Sequence, residues 1–127
     1  MEFQNYVDNN PLFPNQVLDY SCGSRSYDIG SGYNHKGTDI FIWPFPWQKM
    51  AQNAVEIVAA APGVIIAKDD GYGDKNCSMC TNCSWNAVYV MHADGSVAWY
   101  GHMKIFSLTA KAVGQTVAAG EYLGVVG

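Results

Sequence analysis

In the stretch Gly32-Tyr33-Asn34-His35-Lys36-Gly37-Thr38-Asp39-Ile40, an imidazole and a carboxylate stand four residues apart around a glycine, just ahead of an apolar, aromatic run. A divalent metal draws such nitrogen and oxygen donors to about 2.0–2.2 Å, so the two side chains would have to converge on one point. On an extended strand four residues cover roughly 13 Å, and on a helix they lie roughly 6 Å apart along one face. Gly37 and Thr38 disfavour a helix. The sequence therefore predicts a bend leading into a strand, with Gly37 supplying the backbone freedom that swings His35 and Asp39 together. An isolated His-x-x-x-Asp has a plainer reading, a solvated histidine beside a turn-forming aspartate, and the rest of the chain must decide between the two.

Two more histidines stand at strand ends, in Val88-Tyr89-Val90-Met91-His92 and in Trp99-Tyr100-Gly101-His102. Four cysteines, Cys22, Cys77, Cys80 and Cys83, offer a second kind of chemistry, the last three spaced Cys-x-x-Cys-x-x-Cys. Three fates are open to them: disulfides in an exported protein, a structural metal or cluster site built on close thiolate pairs, and free buried thiols. Arg25 could orient a carboxylate, although a lone arginine more often packs or stays solvated.

Composition limits the frame that positions these groups. A chain of 127 residues is about one domain and can form a hydrophobic core without obligatory cross-links. Tyrosine and glycine are plentiful, which suits a β-rich globular chain. The formal charge of -4 with only 7 basic residues leaves no electrostatic footprint for a nucleic acid. No run of about 18 apolar residues exists, so no transmembrane segment is expected. Met1-Glu2-Phe3-Gln4-Asn5 lacks the basic start and apolar core of a secretory leader, a pattern that a mature segment with an added Met would also give.

Residues 1–20, with Pro11, Pro14 and several Asn and Asp, read as an irregular arm. Residues 21–127 read as one domain. A short strand and turn are expected over Asp19–Arg25. Pro44 and Pro46 exclude a central strand beyond Trp43, and the aromatic run Ile40–Trp47 could wall a groove or cover the core edge. A short helical turn is expected over Lys49–Asn53. Strands follow at Val55–Ala60 and Gly63–Lys68, and a polar loop from Tyr72 to Ser84 reads as an insertion. Ala87–His92 and Ser96–His102 flank an Asp94-Gly95 hairpin turn. In the second of these strands Val97, Trp99 and Gly101 face opposite to Ala98, Tyr100 and His102. The tail gives two short strands around Ala119-Gly120, closing as a hairpin. A faint echo links Ala61-Pro62-Gly63-Val64-Ile65 with Ala119-Gly120-Glu121-Tyr122-Leu123. The sum is an all-β fold of antiparallel sheets, as a sandwich or partly open barrel, with little helix.

Taken in order, the stretches containing His35 and Asp39, Ala61-Pro62-Gly63-Val64-Ile65, Val88–Gly95, Trp99-Tyr100-Gly101-His102-Met103 and Val113–Gly127 resemble the lysostaphin-type (LytM-like) zinc metallopeptidases, from about Cys22 to Gly127. The resemblance implies the fold of those enzymes, a duplicated hybrid motif. It further implies an endopeptidase that cuts peptide cross-links of bacterial peptidoglycan, exported to the periplasm or cell surface, with Zn2+ as its cofactor. His35 and Asp39 map onto zinc ligands and His102 onto a catalytic histidine. Tyr33 and Tyr100 stand as candidate substrate or transition-state contacts against a plain packing role, and His92 is not carried over as a ligand.

The family pattern also has a His-x-His pair just past the strand corresponding to Leu123-Gly124-Val125-Val126-Gly127, supplying the third ligand and a second catalytic histidine. This sequence ends before that pair. The expectation is that the 127-residue chain binds zinc weakly and does not turn over peptide. A degenerate relative that binds cell wall or activates another hydrolase is the alternative, although retention of both His35 and Asp39 counts against it. A carrier module of similar strand pattern is disfavoured, because its hairpin lysine is replaced by Ala118-Ala119-Gly120.

Overall fold

The computed structural model describes residues 2–5, 37–75 and 83–127. The expected turn at 19–25, His35, Tyr33 and most of the cysteine loop lie outside these residues. The chain groups into two units, Met1–Pro46 and Trp47–Gly127.

In the first unit β1 (Glu2–Asn5) pairs antiparallel with β2 (Asp39–Phe41), setting Glu2 opposite Phe41 and Asn5 opposite Asp39. The opening residues were expected to be irregular. They contain no proline or glycine to break a strand, and the partner that makes them one lies far along the chain, where local sequence cannot signal it.

The second unit begins with the rest of α1 (Pro46–Ala51). This helix starts earlier than the expected turn at Lys49–Asn53, since proline suits the first helical turn. Asn53 ends it in the left-handed region, φ 52°, with its N–H donating to the Met50 carbonyl at 3.1 Å. Lys104 Nζ reaches the same end, donating to the Met50 carbonyl (3.2 Å) and to Asn53 Oδ1 (2.6 Å). A cation there suits the partial negative charge at the helix C-terminus.

Six strands follow: β3 (Glu56–Val58), β4 (Gly63–Asp69), β5 (Ala87–Met91), β6 (Val97–Tyr100), β7 (Thr116–Val117) and β8 (Tyr122–Val125). They form a two-stranded sheet, β3-β8, and a four-stranded sheet in the order β6-β5-β4-β7, all antiparallel. β7 and β8 were expected to close on each other around Ala119-Gly120. Instead they pair with β4 and β3. Val58 lies opposite Tyr122 and Gly63 opposite Val117, so the same two chain segments run side by side through both sheets. At the corner between the sheets Ala59 donates to the Glu121 carbonyl (2.9 Å) and Gly120 to the Ala59 carbonyl (2.7 Å). One ribbon thus bends from sheet to sheet, and at the bend the Ala60 and Ala118 N–H groups turn to the Tyr100 hydroxyl and the Glu121 carboxylate instead of the facing strand. The two echoing sequence segments do not pair with each other: Gly63 and Val64 face Val117 and Thr116, while Glu121 and Tyr122 face Ala59 and Val58. Lys111 pairs with Glu121 there, and the hydrogen bond from that ammonium holds the Glu121 carboxyl below the usual carboxylate range.

Gly63 is required where the ribbon enters the larger sheet. A Cβ at this position would sit 2.5 Å from the Met91 carbonyl oxygen and 2.5 Å from Val90 Cγ1. Backbone cannot swing aside as a side-chain tip can. Gly63→Ala is therefore expected to cost about 1–3 kcal/mol, read as a lowered urea midpoint at unchanged slope.

Ala59, Ile65, Val88, Val90, Met103, Val117 and Leu123 make the core, with Ile57, Tyr100 and Leu108 packed against it. Alternation in β6 follows the sequence reading, with Val97 and Trp99 exposed and Ala98 and Tyr100 partly buried. The Asp94-Gly95 turn closes the β5–β6 hairpin as expected. Gly95 has φ 83°, and Asp94 Oδ1 accepts from both the Ser96 N–H (2.9 Å) and its hydroxyl (2.6 Å). The free edge of β8 is covered by the segment after β6, with Lys104 N–H on the Val125 carbonyl (2.8 Å) and Thr109 N–H on the Leu123 carbonyl (2.8 Å). The fold is all-β, as the sequence predicts, and its described sheets do not close into a barrel.

Candidate active site

His102 lies two residues beyond β6, exposed, with its backbone in the left-handed region at φ 54°. A non-glycine residue held there costs of order 1–3 kcal/mol and persists only where its surroundings over-determine it. They do so here. The His102 carbonyl accepts from Gly127 N–H at 2.8 Å, and the other end of that peptide unit, Met103 N–H, donates to the Asn86 carbonyl at 3.0 Å. The next carbonyl, that of Met103, accepts from Asn86 Nδ2 at 3.0 Å. The strand alternation that placed His102 on the face of Tyr100 therefore stops at Gly101, because the backbone turns out of the sheet.

The His102 ring meets the Trp85 indole nearly at right angles, 85°, with centroids 4.9 Å apart. That indole lies against Gly101, where a Cβ would come within 2.4 Å of Trp85 Cζ3. Its Nε1 donates to the Tyr89 hydroxyl at 3.1 Å. Trp85 also lines an open pocket with Asp69, Tyr72, Cys83 and Ser84. His102 does not line that pocket, and no chemistry is assigned to it.

Asp39 is the half-buried first residue of β2, and it belongs to the first unit. Its expected partner ligand His35 and the candidate contact Tyr33 lie outside the described residues. Tyr100 is half-buried, and its hydroxyl accepts the Ala60 N–H at 2.9 Å, tying β6 to the corner of the ribbon. His92 holds its Nδ1 2.9 Å from the Pro62 carbonyl. A carbonyl only accepts, so Nδ1 carries the proton. Cys83 is disulfide-bonded, while Cys22, Cys77 and Cys80 lie outside the described residues. Among the described residues no three His, Cys, Asp or Glu side chains gather as a metal-holding group. Within the donor set, an imidazole with a carboxylate, as at His35 and Asp39, suits zinc.

Sequence reasoning passed over Trp85 and Asn86. The only signal pointing to them was Gly101, since a glycine near a strand end marks close approach of another group. The identity of that group was not readable.

The resemblance borne by the stretches around His35, Asp39 and His102 implies a peptidase domain. Comparison with family models bears this out. The model of peptidase family M23 matches residues 33–127, and the chain belongs to that family. Members of it are generally metallopeptidases. No curated protein and no solved structure gave a match. No helix among the described residues is long and apolar enough to cross a membrane.

Proposed function

We propose that this protein is a zinc metalloendopeptidase that cuts the peptide cross-links of bacterial peptidoglycan outside the cytoplasm. The observation that carries the reading is His102, a proton-transfer group exposed at a strand end on a backbone fixed by three hydrogen bonds, inside a span that matches a peptidase family. The disulfide at Cys83 supports the exported location, because such bonds persist in oxidising compartments.

In this reading His35 and Asp39 hold the metal. Bound zinc supplies Lewis acidity toward the scissile carbonyl. The protein's own part is proton handling and orientation. Neutral His102 Nδ1 or Nε2 accepts a proton from the attacking water, and the resulting imidazolium returns one to the departing amine. Tyr100 keeps its hydroxyl on Ala60 N–H, so its first task is to hold β6 and the residues after it in place.

The test uses purified peptidoglycan and the full-length protein. Cleavage of cross-links should release new primary amines, stop on treatment with a zinc chelator and resume when zinc is restored. Release of reducing sugars without amines, or amine release untouched by the chelator, would overturn the proposal.

A further inference from the structure

We propose that Trp85 and Asn86 are positioning residues for His102, Asn86 fixing the backbone that carries it and Trp85 fixing its ring. The inference deepens the proposed function and rests on the catalytic role given there to His102.

Asn86 is a buried polar side chain, 2% exposed, with both amide N–H groups and the amide oxygen hydrogen-bonded. Nδ2 donates to the Tyr72 carbonyl (2.9 Å) and the Met103 carbonyl (3.0 Å), while Oδ1 accepts from Tyr72 N–H (2.8 Å). With its own carbonyl on Met103 N–H, it grips one residue at both its amide and its carbonyl. That residue directly follows His102, so the grip sets the left-handed turn and the direction in which the imidazole leaves the chain. Asn86 also staples the loop around Tyr72 to the same point.

Trp85 acts on the other end of the side chain. An exposed histidine on a strand end would turn about χ1 and χ2, and each wrong rotamer moves its nitrogens by more than the tolerance of proton transfer. A perpendicular indole at 4.9 Å blocks part of that motion and adds an edge-to-face aromatic contact. The indole is itself held, by Nε1 on the Tyr89 hydroxyl and by the bare Cα of Gly101 beneath it. Gly101 thus has a reason to lack a side chain that backbone conformation does not supply. Any Cβ there would displace the indole from the position in which it meets His102.

A misplacement of about 1 Å at a reacting group can cost on the order of 100-fold in rate. Trp85→Leu and Gly101→Ala, made in the full-length protein, are each expected to lower kcat by about 10–100-fold on a soluble cross-link peptide, with KM and zinc content unchanged. Trp85→Phe should recover part of the loss, since it keeps a ring edge near the imidazole. Asn86→Ser, which keeps a hydroxyl but cannot span Tyr72 and Met103, should lower kcat in the same direction.

The second readout is the NMR signal of the His102 ring, assigned with His102→Ala. The ring-current displacement due to the indole should vanish in Trp85→Leu and Gly101→Ala while the His92 ring signals stay in place, a signature that a merely structural role would not produce. Unchanged kcat together with an unchanged His102 signal in the variants that fold would overturn the inference. If His102→Ala retained full activity, the catalytic assignment would fail instead, and the ring signal would still decide whether Trp85 holds that side chain.

Discussion

Replacing His102 with alanine in the full-length protein is expected to lower peptide turnover by about 10²–10⁴-fold, the usual contribution of a positioned acid–base group, with the fold and the bound zinc retained. The ring is exposed and makes an edge contact with Trp85, so its loss opens no buried cavity. The hydrogen bonds that fix the turn all use the backbone of residues 102 and 103 and survive the change. Turnover, metal content and the thermal midpoint should be measured on the same preparation. Loss of turnover at constant zinc and constant midpoint supports the assignment. Loss of zinc would move His102 into the ligand set, and retained turnover would remove it from the chemistry altogether.

Leu123→Ala should be the most damaging of the simple core truncations, at about 2–5 kcal/mol. Leu123 is fully buried, 0% exposed, in a cluster with Ile65, Val88, Val90 and Met103. The strand that carries it cannot move inward to fill the space. β3 is paired along one edge of β8, and the segment from Met103 to Thr109 is hydrogen-bonded along the other. A domain of this size has about 5–15 kcal/mol in total, so the loss is a large share. Urea unfolding would show it as a lower midpoint. A change below about 1 kcal/mol, well under the range for such truncations, would mean that Leu123 is not where the core closes. Activity should fall only through the unfolded fraction, which separates this variant from His102→Ala.

Much of the architecture was legible in the residues because it is local. β-Branched runs marked β3 and β4, the Asp94-Gly95 turn marked the hairpin between β5 and β6, and alternation placed Val97 and Trp99 outward. Where partners are distant, the reading broke. The residues of β1 look irregular until β2 is set beside them. Thr116-Val117 and Tyr122–Val125 look like the arms of one hairpin, yet each pairs with a different strand, because a bent ribbon satisfies the same backbone groups and also closes the core. Gly63 and Gly101 read only as members of the strands Gly63–Lys68 and Ser96–His102. The surroundings give them another meaning, a carbonyl and a methyl group against one and an indole against the other.

By itself, then, the sequence determined the side chains available to this member of peptidase family M23: a His-x-x-x-Asp pair at residues 35 and 39, and a histidine closing the run Tyr100-Gly101-His102. Side-chain type and order along the chain are enough for that. Tertiary structure alone decided how His102 is presented. Its left-handed backbone, the double grip of Asn86 and the indole beside its ring are all contacts between residues distant in sequence. Each is fixed by the pairing of strands and by the burial of one amide, and no local pattern encodes either.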